Sequence, residues 1–591
     1  MNLSQQSIHD VIHPTAALAR PTSSASRERS ISNSDWSASF LNPKNRIDSL
    51  EPVRNSKWRI DGCTAYGSQF YAVPVFFDTC PLRIDVFVPE LTTLPEAIRR
   101  VLDVDVVFHT RDADRIAGLG ITRHILRILN YWTSTLAAPR APFDDVPFGS
   151  RIVLANLPVN IRDVSITIAP AHYVERHLVP LADLQANWGA HLCYPPTVDV
   201  RRLKVVFQVH DSVCLVELDQ KLWILKALAN HTKYLYHELR NLLRIPPHEN
   251  VVAKPSHLVT KACSFGGKTA VLGFTLEYHE YGSLRDLVPF LHLHHQITTE
   301  TAVGWSVQLT SALCHLRQTT GTFYPDLRLD NIVLSADGRV VMVDFEQRGV
   351  WCEFAAPEVN AFDYVRIVAI DGDTEPCVQQ QFADILEAQL PGWHDLEEGE
   401  EYIWPSSGYN VAWKCLTPTE QEACEVYMLG RVLWCIFEGQ SAPQRATVWI
   451  SYRWEPELEF PEYRKAPQPI RDLIDRCTRG RSPGMGTVIT RRGSQLVLRS
   501  LERTGGSTPE DVQQTAKEWW QAELKRSRDW LRARAEGLRR GDWNENFYNR
   551  PRLREVYDAL KEYQQSNNFG HEPHLVAGLK QVLGGIPFCR V

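Results

Sequence analysis

The sequence predicts an α+β chain: a β-rich stretch over 201–281, a mainly helical one over 282–565, and a mixed α/β region over 56–200 ahead of both. Three observations predict it. The runs "KVVFQV", "VCLVEL", "KLWILKAL" and "AVLGFTLEY" follow one another from Lys204 to Tyr278, and short β-branched and aromatic runs of this kind mark strands. One strongly periodic segment interrupts them. In "TKYLYHELRNLL", Leu235, Leu239, Leu242 and Leu243 recur at helical spacing behind Thr232, which reads as the N-cap. After Gly282 the periodicity becomes helical, most clearly in "TAVGWSVQLTSALCHLRQTT".

From the amino terminus, residues 1–55 are polar, Ser- and Arg-rich and aperiodic, the composition of a disordered tail. Within 56–200, "YAVPVFF", "LRIDVFV", "DVDVVF" and "SRIVLANL" read as strands and "ITRHILRILNYWTSTL" as an amphipathic helix, with no chemical motif among them. Two insertions interrupt the helical part. The first, about 360–420, contains the acidic "DLEEGEE", read as a solvated loop; the second, about 480–549, carries a long charged helix whose Trp/Leu stripe packs on the parent domain. Residues 566–591 form a tail. His292, His294 and His295 read as a polar helix end rather than a metal site.

At 591 residues the chain is long enough for about three or four domains. Its net charge of -6 argues against a nucleic-acid partner. No apolar run approaches the roughly 18 residues of a membrane span. The 13 cysteines are scattered without a CxxC pair, which suits reduced thiols in cytoplasm or nucleus.

Chemistry concentrates in "FYPDLRLDNIVLSADGRVVMVDFEQRG", Phe323 to Gly349, where Asp326, Asn331 and Asp344 flank two strand-like runs. Three such side chains make either ordinary turns or a site for a hard cation, because carboxylate and amide oxygens suit Mg²⁺. In-line phosphoryl transfer needs such a cation on the phosphates and a carboxylate facing the attacking hydroxyl. Asp326 is then the hydroxyl-facing base, and Asn331 and Asp344 hold metal.

The same residues carry a resemblance. Tyr324 to Asn331 matches H-R-D-L-x-x-x-N, Asp344-Phe345-Glu346 matches D-F-G, and Ala356-Pro357-Glu358 gives A-P-E, all in order within 35 residues. The chain resembles the protein-kinase family, and in the order of its elements a fungal kinase-like subgroup. The resemblance implies a bilobal fold with a β-rich N-lobe and a mainly helical C-lobe. It also implies ATP and Mg²⁺ as cofactors and a protein Ser/Thr substrate or partner. It assigns Lys226 to the ATP phosphates, paired with Glu238 only 12 positions on. It makes the backbone of Glu277 and His279 the adenine-binding hinge, with Leu276 as gatekeeper and Val216 also against the nucleotide. Leu242, Tyr324 and Phe345 match the apolar spine. Arg328 stands where Ser/Thr kinases carry Lys, Glu425 anchors the catalytic loop, and Glu358 is predicted to bridge Arg550.

The sequence also departs from the family. Phe207–Leu218, where the glycine-rich phosphate loop belongs, has no glycine, and Glu346 replaces the third residue of D-F-G. Either Glu346 weakens nucleotide binding or it helps to hold a cation. The loop from Glu346 to Pro357 contains no Ser, Thr or Tyr, so it offers no phosphorylation switch. Three functions follow: a protein kinase, a pseudokinase that senses nucleotide or scaffolds, and a small-molecule kinase of the choline or aminoglycoside type. The A-P-E element argues against the last.

Overall fold

Alternating burial along short strands builds two separate sheets in this α+β protein. The computed structural model describes residues 53–570, apart from single positions and short stretches, chiefly 65–67, 77–83, 89–98, 105–112, 139–145, 350–352, 444–457 and 502–506. The first sheet runs in the order β1 (Trp58–Thr64), β2 (Gln69–Pro74), β3 (Ile84–Phe87), β4 (Arg151–Leu154), β5 (Ile166–Ala169). Only the β3–β4 pair is parallel. Helix α1 (Gly120–Thr135) buries Ile121, Ile125, Ile128 and Leu129 in the same core as Trp58, Phe70, Val86 and Ile152, the one-stripe pattern its spacing dictates. The strand expected at 103–108 begins instead as a turn at Asp103, with φ 54, and 105–108 lie outside the described residues.

The second sheet has six strands in the order β6-β10-β11-β9-β8-β7. They are β6 (Thr197–Asp199), β7 (Lys204–His210), β8 (Val213–Leu218), β9 (Lys221–Ala227), β10 (His257–Ala262) and β11 (Thr269–Glu277). Ahead of β6 lies α2 (Leu181–Trp188), and α3 (Thr232–Arg244) follows β9 directly. Ala171, Val174, Leu178, Val198 and Val200 share a core with Val216, Leu225 and Leu272. The stretch from 171 to 200 therefore belongs with this sheet, and the boundary expected at 200/201 does not divide the cores. Thr232 is not the N-cap of α3. His231 precedes the helix in a left-handed conformation, φ 51, and the Thr232 hydroxyl donates to the His177 carbonyl at 3.4 Å.

The helical body comprises α4 (Leu284–Leu293), α5 (Thr299–Thr320), the hairpin β12 (Ile332–Leu334)/β13 (Val340–Met342), α6 (Pro357–Ile370), α7 (Pro376–Glu387), α8 (Trp393–Glu398), α9 (Val411–Cys415), α10 (Pro418–Glu438), α11 (Gln468–Cys477), the hairpin β14 (Ile489–Arg492)/β15 (Gln495–Leu498), α12 (Pro509–Arg540) and α13 (Leu553–Ser566). One continuous apolar core joins it to α3 and part of the six-stranded sheet. The stretch 360–420 is largely helical. Of "DLEEGEE", Asp395–Glu398 end α8 rather than lie in a loop, while Asp395, Gly399 and Glu401 are exposed as expected. The charged helix α12 buries Val512, Ala516, Trp520, Leu524 and Leu531, with Trp520 edge-on to Tyr364 of α6 at 5.0 Å. His292 Nε2 lies 2.7 Å from Ile436 O, and its Nδ1 lies 2.9 Å from Lys465 Nζ. Among the described residues no helix is long and apolar enough to cross a membrane.

Candidate active site

Lys226 lies on β9, flanked by β8 and β11, and its side chain is only 5% exposed. Its Nζ is 2.6 Å from Asp344 Oδ1, 2.7 Å from Glu238 Oε2 and 3.0 Å from Glu346 Oε1. Of these three ion-pair contacts, the one to Asp344 Oδ1 is a hydrogen bond. Burial alone would lower the Lys226 pKa; Asp344, Glu238 and Glu346 override that and hold it well above its ordinary value. Glu238 is delivered by α3, whose apolar stripe faces the core and turns this carboxylate inward. Burial pushes its pKa up, against the opposing pull of Lys226. Its Oε1 accepts the Phe345 backbone N–H at 2.9 Å. Burial would raise Asp344 as well, but Lys226 prevails and the carboxyl stays below its usual range.

The backbone places these groups through two left-handed residues, Asp344 (φ 67) and Gln347 (φ 57). Such a conformation is uncommon outside glycine, and Asp is among the residues that tolerate it. Gln347 is fixed on the far side: His237 Nε2 and Asn241 Nδ2 reach its Oε1 at 2.5 and 3.2 Å, and its amide donates to Phe323 O at 2.9 Å. Burial pushes His237 down to about 4, so this ring is neutral at physiological pH. Glu346 also meets Arg348, Nε to Oε2 at 2.5 Å.

Asp326 and Asn331 sit on the loop before β12. Asn331 Nδ2 donates to Asp326 Oδ2 at 2.9 Å and to its carbonyl at 3.0 Å. Arg328 Nε lies 3.2 Å from Asp326 Oδ1. Burial pushes Asp326 up to about 6 although Arg328 opposes it. Tyr324 packs edge-on to Phe345 at 5.1 Å, and with Leu242 both belong to the central core. Glu425 on α10 holds this loop from beneath: it accepts the Tyr324 backbone N–H at 2.6 Å and pairs with Arg317 at 2.6 Å. Glu358 and Arg550 form a buried two-point ion pair, with N–O distances of 2.8 and 3.0 Å.

Cross-strand neighbours share a face of a sheet. Lys226 pairs with Val213 on β8, and Ile224 pairs with Leu215 and with Leu276 on β11. Leu276 is thus on the face of Lys226. Val216 is not: it pairs with Trp223 and is buried among Val174, Leu225 and Leu272. Val216 is therefore on the face opposite Lys226, against the nucleotide role expected for it; Val213 and Leu215 take the positions on the Lys226 face. Glu277 and His279 line a cavity of about 970 Å³ walled by Pro246–Lys254 and the 335–339 turn. Lys226, Asp326, Asn331 and Asp344 do not line it. The His279 carbonyl accepts Gly282 N–H at 3.1 Å.

The glycine-free hairpin β7–β8 is held by the first sheet. Asp61 Oδ2 accepts the Gln208 N–H at 2.7 Å, and Arg59 donates to Val206 O at 2.6 Å. At its turn, Ser212 O accepts the Ala227 N–H at 3.0 Å.

Lys226 and Arg348 thus meet Glu238, Asp344 and Glu346 in one ion-pair group, with Lys226, Glu238 and Glu346 buried and Asp344 and Arg348 partly exposed, while Arg328 pairs with Asp326 in a second. Glu238, Asp344 and Glu346 bring ligand oxygens within 4.8 Å of one another, an all-oxygen donor set that suits a hard cation. The Glu346 contact with Lys226 escaped sequence reading because it depends on the left-handed turn at Asp344. No family model matches the chain, and no curated protein matches it.

Proposed function

We propose that the chain is a divergent kinase-like phosphotransferase that moves the ATP γ-phosphate to a protein Ser or Thr hydroxyl. The observation that carries this reading is Lys226 Nζ, held 2.7 Å from Glu238 of α3 and 2.6 Å from Asp344 of the loop beyond β13. On this reading the six-stranded sheet and α3 form the N-lobe and the helical body the C-lobe. Lys226 meets the phosphates and Glu238 keeps it in place. Asp344 and Asn331, with Glu346 beside them, would hold Mg²⁺, which supplies charge neutralisation on the phosphates. Asp326 accepts the proton of the acceptor hydroxyl as its oxygen bonds to the γ-phosphorus and the bond to the ADP oxygen breaks. Arg328 adds positive charge beside that base.

A second reading, a pseudokinase that senses nucleotide or scaffolds, draws on two observations. Three carboxylates already surround the Lys226 ammonium, and the hairpin that lacks glycines is bonded to the first sheet.

Thermal unfolding with and without MgATP tests both readings. At a ligand concentration about 100 times Kd, binding adds about 2.7 kcal/mol of apparent stability. The wild type is expected to gain this and Asp344→Asn to lose it. Turnover separates the readings. With Asp326 titrating at about 6, the base form appears as pH rises, so phosphate transfer climbs through about pH 6 and Asp326→Asn abolishes it. Binding without transfer selects the nucleotide-sensing pseudokinase; no MgATP effect on the wild type ends both the phosphotransferase and the nucleotide sensor and leaves the scaffold.

A further inference from the structure

The loop from Glu346 to Pro357 has no hydroxyl to phosphorylate, yet the acidic centre is fully assembled. Glu238, His237 and Asn241 bond α3 directly to the D-F-E turn, and a further segment braces the two. The stretch after α8 touches both.

Its first contact is Lys233, in the opening turn of α3 and 0% exposed. A cation at this end of a helix faces the positive end of the helix dipole, and a buried ammonium requires partners. Those partners come from outside the helix: Lys233 Nζ donates to the carbonyls of Leu396, at 3.2 Å, and Gly399, and lies 5.0 Å from the Tyr409 ring centre. Beside it, His231 Nδ1 meets Glu400 Oε1 at 3.0 Å. One turn further along the helix, Tyr236 packs on Tyr402 at 5.5 Å, and the Tyr402 hydroxyl accepts the Trp188 indole N–H at 2.9 Å.

The second contact reaches the other half of the centre. Tyr409 packs against Tyr234 and His237 at 5.4 and 6.1 Å. Gly408 has φ 74, and a Cβ there would lie 3.2 Å from His237 Nε2 and 3.3 Å from Gln347 Cβ. Asn410 Nδ2 donates to the Arg348 carbonyl. The same few residues therefore press on the helix that carries Glu238 and on the turn that carries Asp344 and Glu346.

We infer that residues 396–402 and 408–410 form a built-in strap that fixes α3 and the D-F-E turn in register, with Lys233 as its positioning residue. The strap stands in for a phosphorylation-ordered loop, and the site is assembled as soon as the chain folds. Its effect on nucleotide binding rests on the phosphotransferase reading; the mechanical coupling does not.

Lys233→Met keeps the aliphatic length and removes the donors. Hydrogen exchange on the full chain is expected to rise about tenfold in both 232–244 and 344–349, while α10 is unchanged. MgATP affinity is expected to fall about tenfold, with the acceptor KM unaffected, a split that a general loss of stability would not give. Gly408→Ala is expected to act the same way through the other end of the strap, and it decides the matter if Lys233→Met does not fold. Faster exchange confined to 396–402 overturns the strap. If both segments loosen together but the wild type binds no MgATP, the strap stands and the phosphotransferase reading falls.

Discussion

Replacing Arg550 by Met is expected to destabilise the protein by about 3–5 kcal/mol, because it leaves a buried carboxylate without its cation. The Arg550 side chain is 0% exposed and its Glu358 partner 5%. Besides the two bonds to Glu358, its Nε donates to Arg479 O at 2.9 Å and Nη1 to Ala423 O at 3.1 Å. The guanidinium lies between the rings of Tyr427 and Tyr548, 4.9 Å from each centre. The pair therefore ties the start of α6 to the segment before α13 and to α10. Most of the cost comes from the orphaned Glu358, not from an intrinsic worth of the bridge. The double variant Arg550→Met with Glu358→Leu should accordingly recover much of the loss. Urea unfolding of the three proteins measures it. A single variant within about 1 kcal/mol of wild type would show that Glu358 finds another partner or water.

That ion pair was legible from sequence because a Glu after Ala356-Pro357 and an Arg ahead of the last helix are fixed points of a pattern. Four strands of the six-stranded sheet were legible by their composition; β6, only three residues long, and β10, whose "HLVTKA" is half polar, were not, and these two are ordered by pairing with each other and, for β10, with β11. Other features depend on geometry that no short window contains. Val216 fails by one position of register, and a slip of one residue turns a side chain to the opposite face. The acidic stretch near Glu400 reads as solvated, yet its backbone carbonyls bind Lys233, a residue more than 160 positions away. Backbone carbonyls carry no residue identity, so no sequence pattern announces them. Thr232 has the right side chain for a cap, but the chain enters α3 through a left-handed His231, which a cap does not allow.

Glu346 belongs to the same class. Read as sequence it adds negative charge beside a metal; in the fold it is the third carboxylate on Lys226 and is shared with Arg348. On the phosphotransferase reading, a phosphate at Lys226 would enter a place crowded by three carboxylates. Glu346 is the natural one to yield, since Arg348 already engages its second oxygen. On the phosphotransferase reading the two ideas about this residue meet in one geometry: it would compete with phosphate for the ammonium and, once released, would offer an oxygen beside Asp344.

The charge imbalance around Lys226 makes its removal a pH-dependent event. Lys226→Met leaves Glu238, 0% exposed, with no cation among its direct contacts. An unpaired buried charge costs about 3–5 kcal/mol, but the carboxyl can avoid that by keeping its proton. Burial already raises Glu238 in the folded protein with Lys226 present, and loss of the ammonium raises it further. The unfolded chain releases this proton near its ordinary value, about 4.3. Above that value the folded variant binds more protons than the unfolded one, so its stability falls with rising pH until the folded carboxyl also ionises. Wild type shares this fall until its own raised Glu238 ionises, at about 8, so the deficit relative to wild type should be smaller at about pH 6 than at about pH 9.5. Adding Glu238→Gln to Lys226→Met should remove much of that pH dependence, because the amide has no proton to release. Urea unfolding at the two pH values reads the difference directly, and MgATP should give neither Lys226→Met nor the double variant a thermal shift. A deficit equal at both pH values would mean that Glu238 does not depend on Lys226 for its charge, and the ionic centre would lose its physical basis.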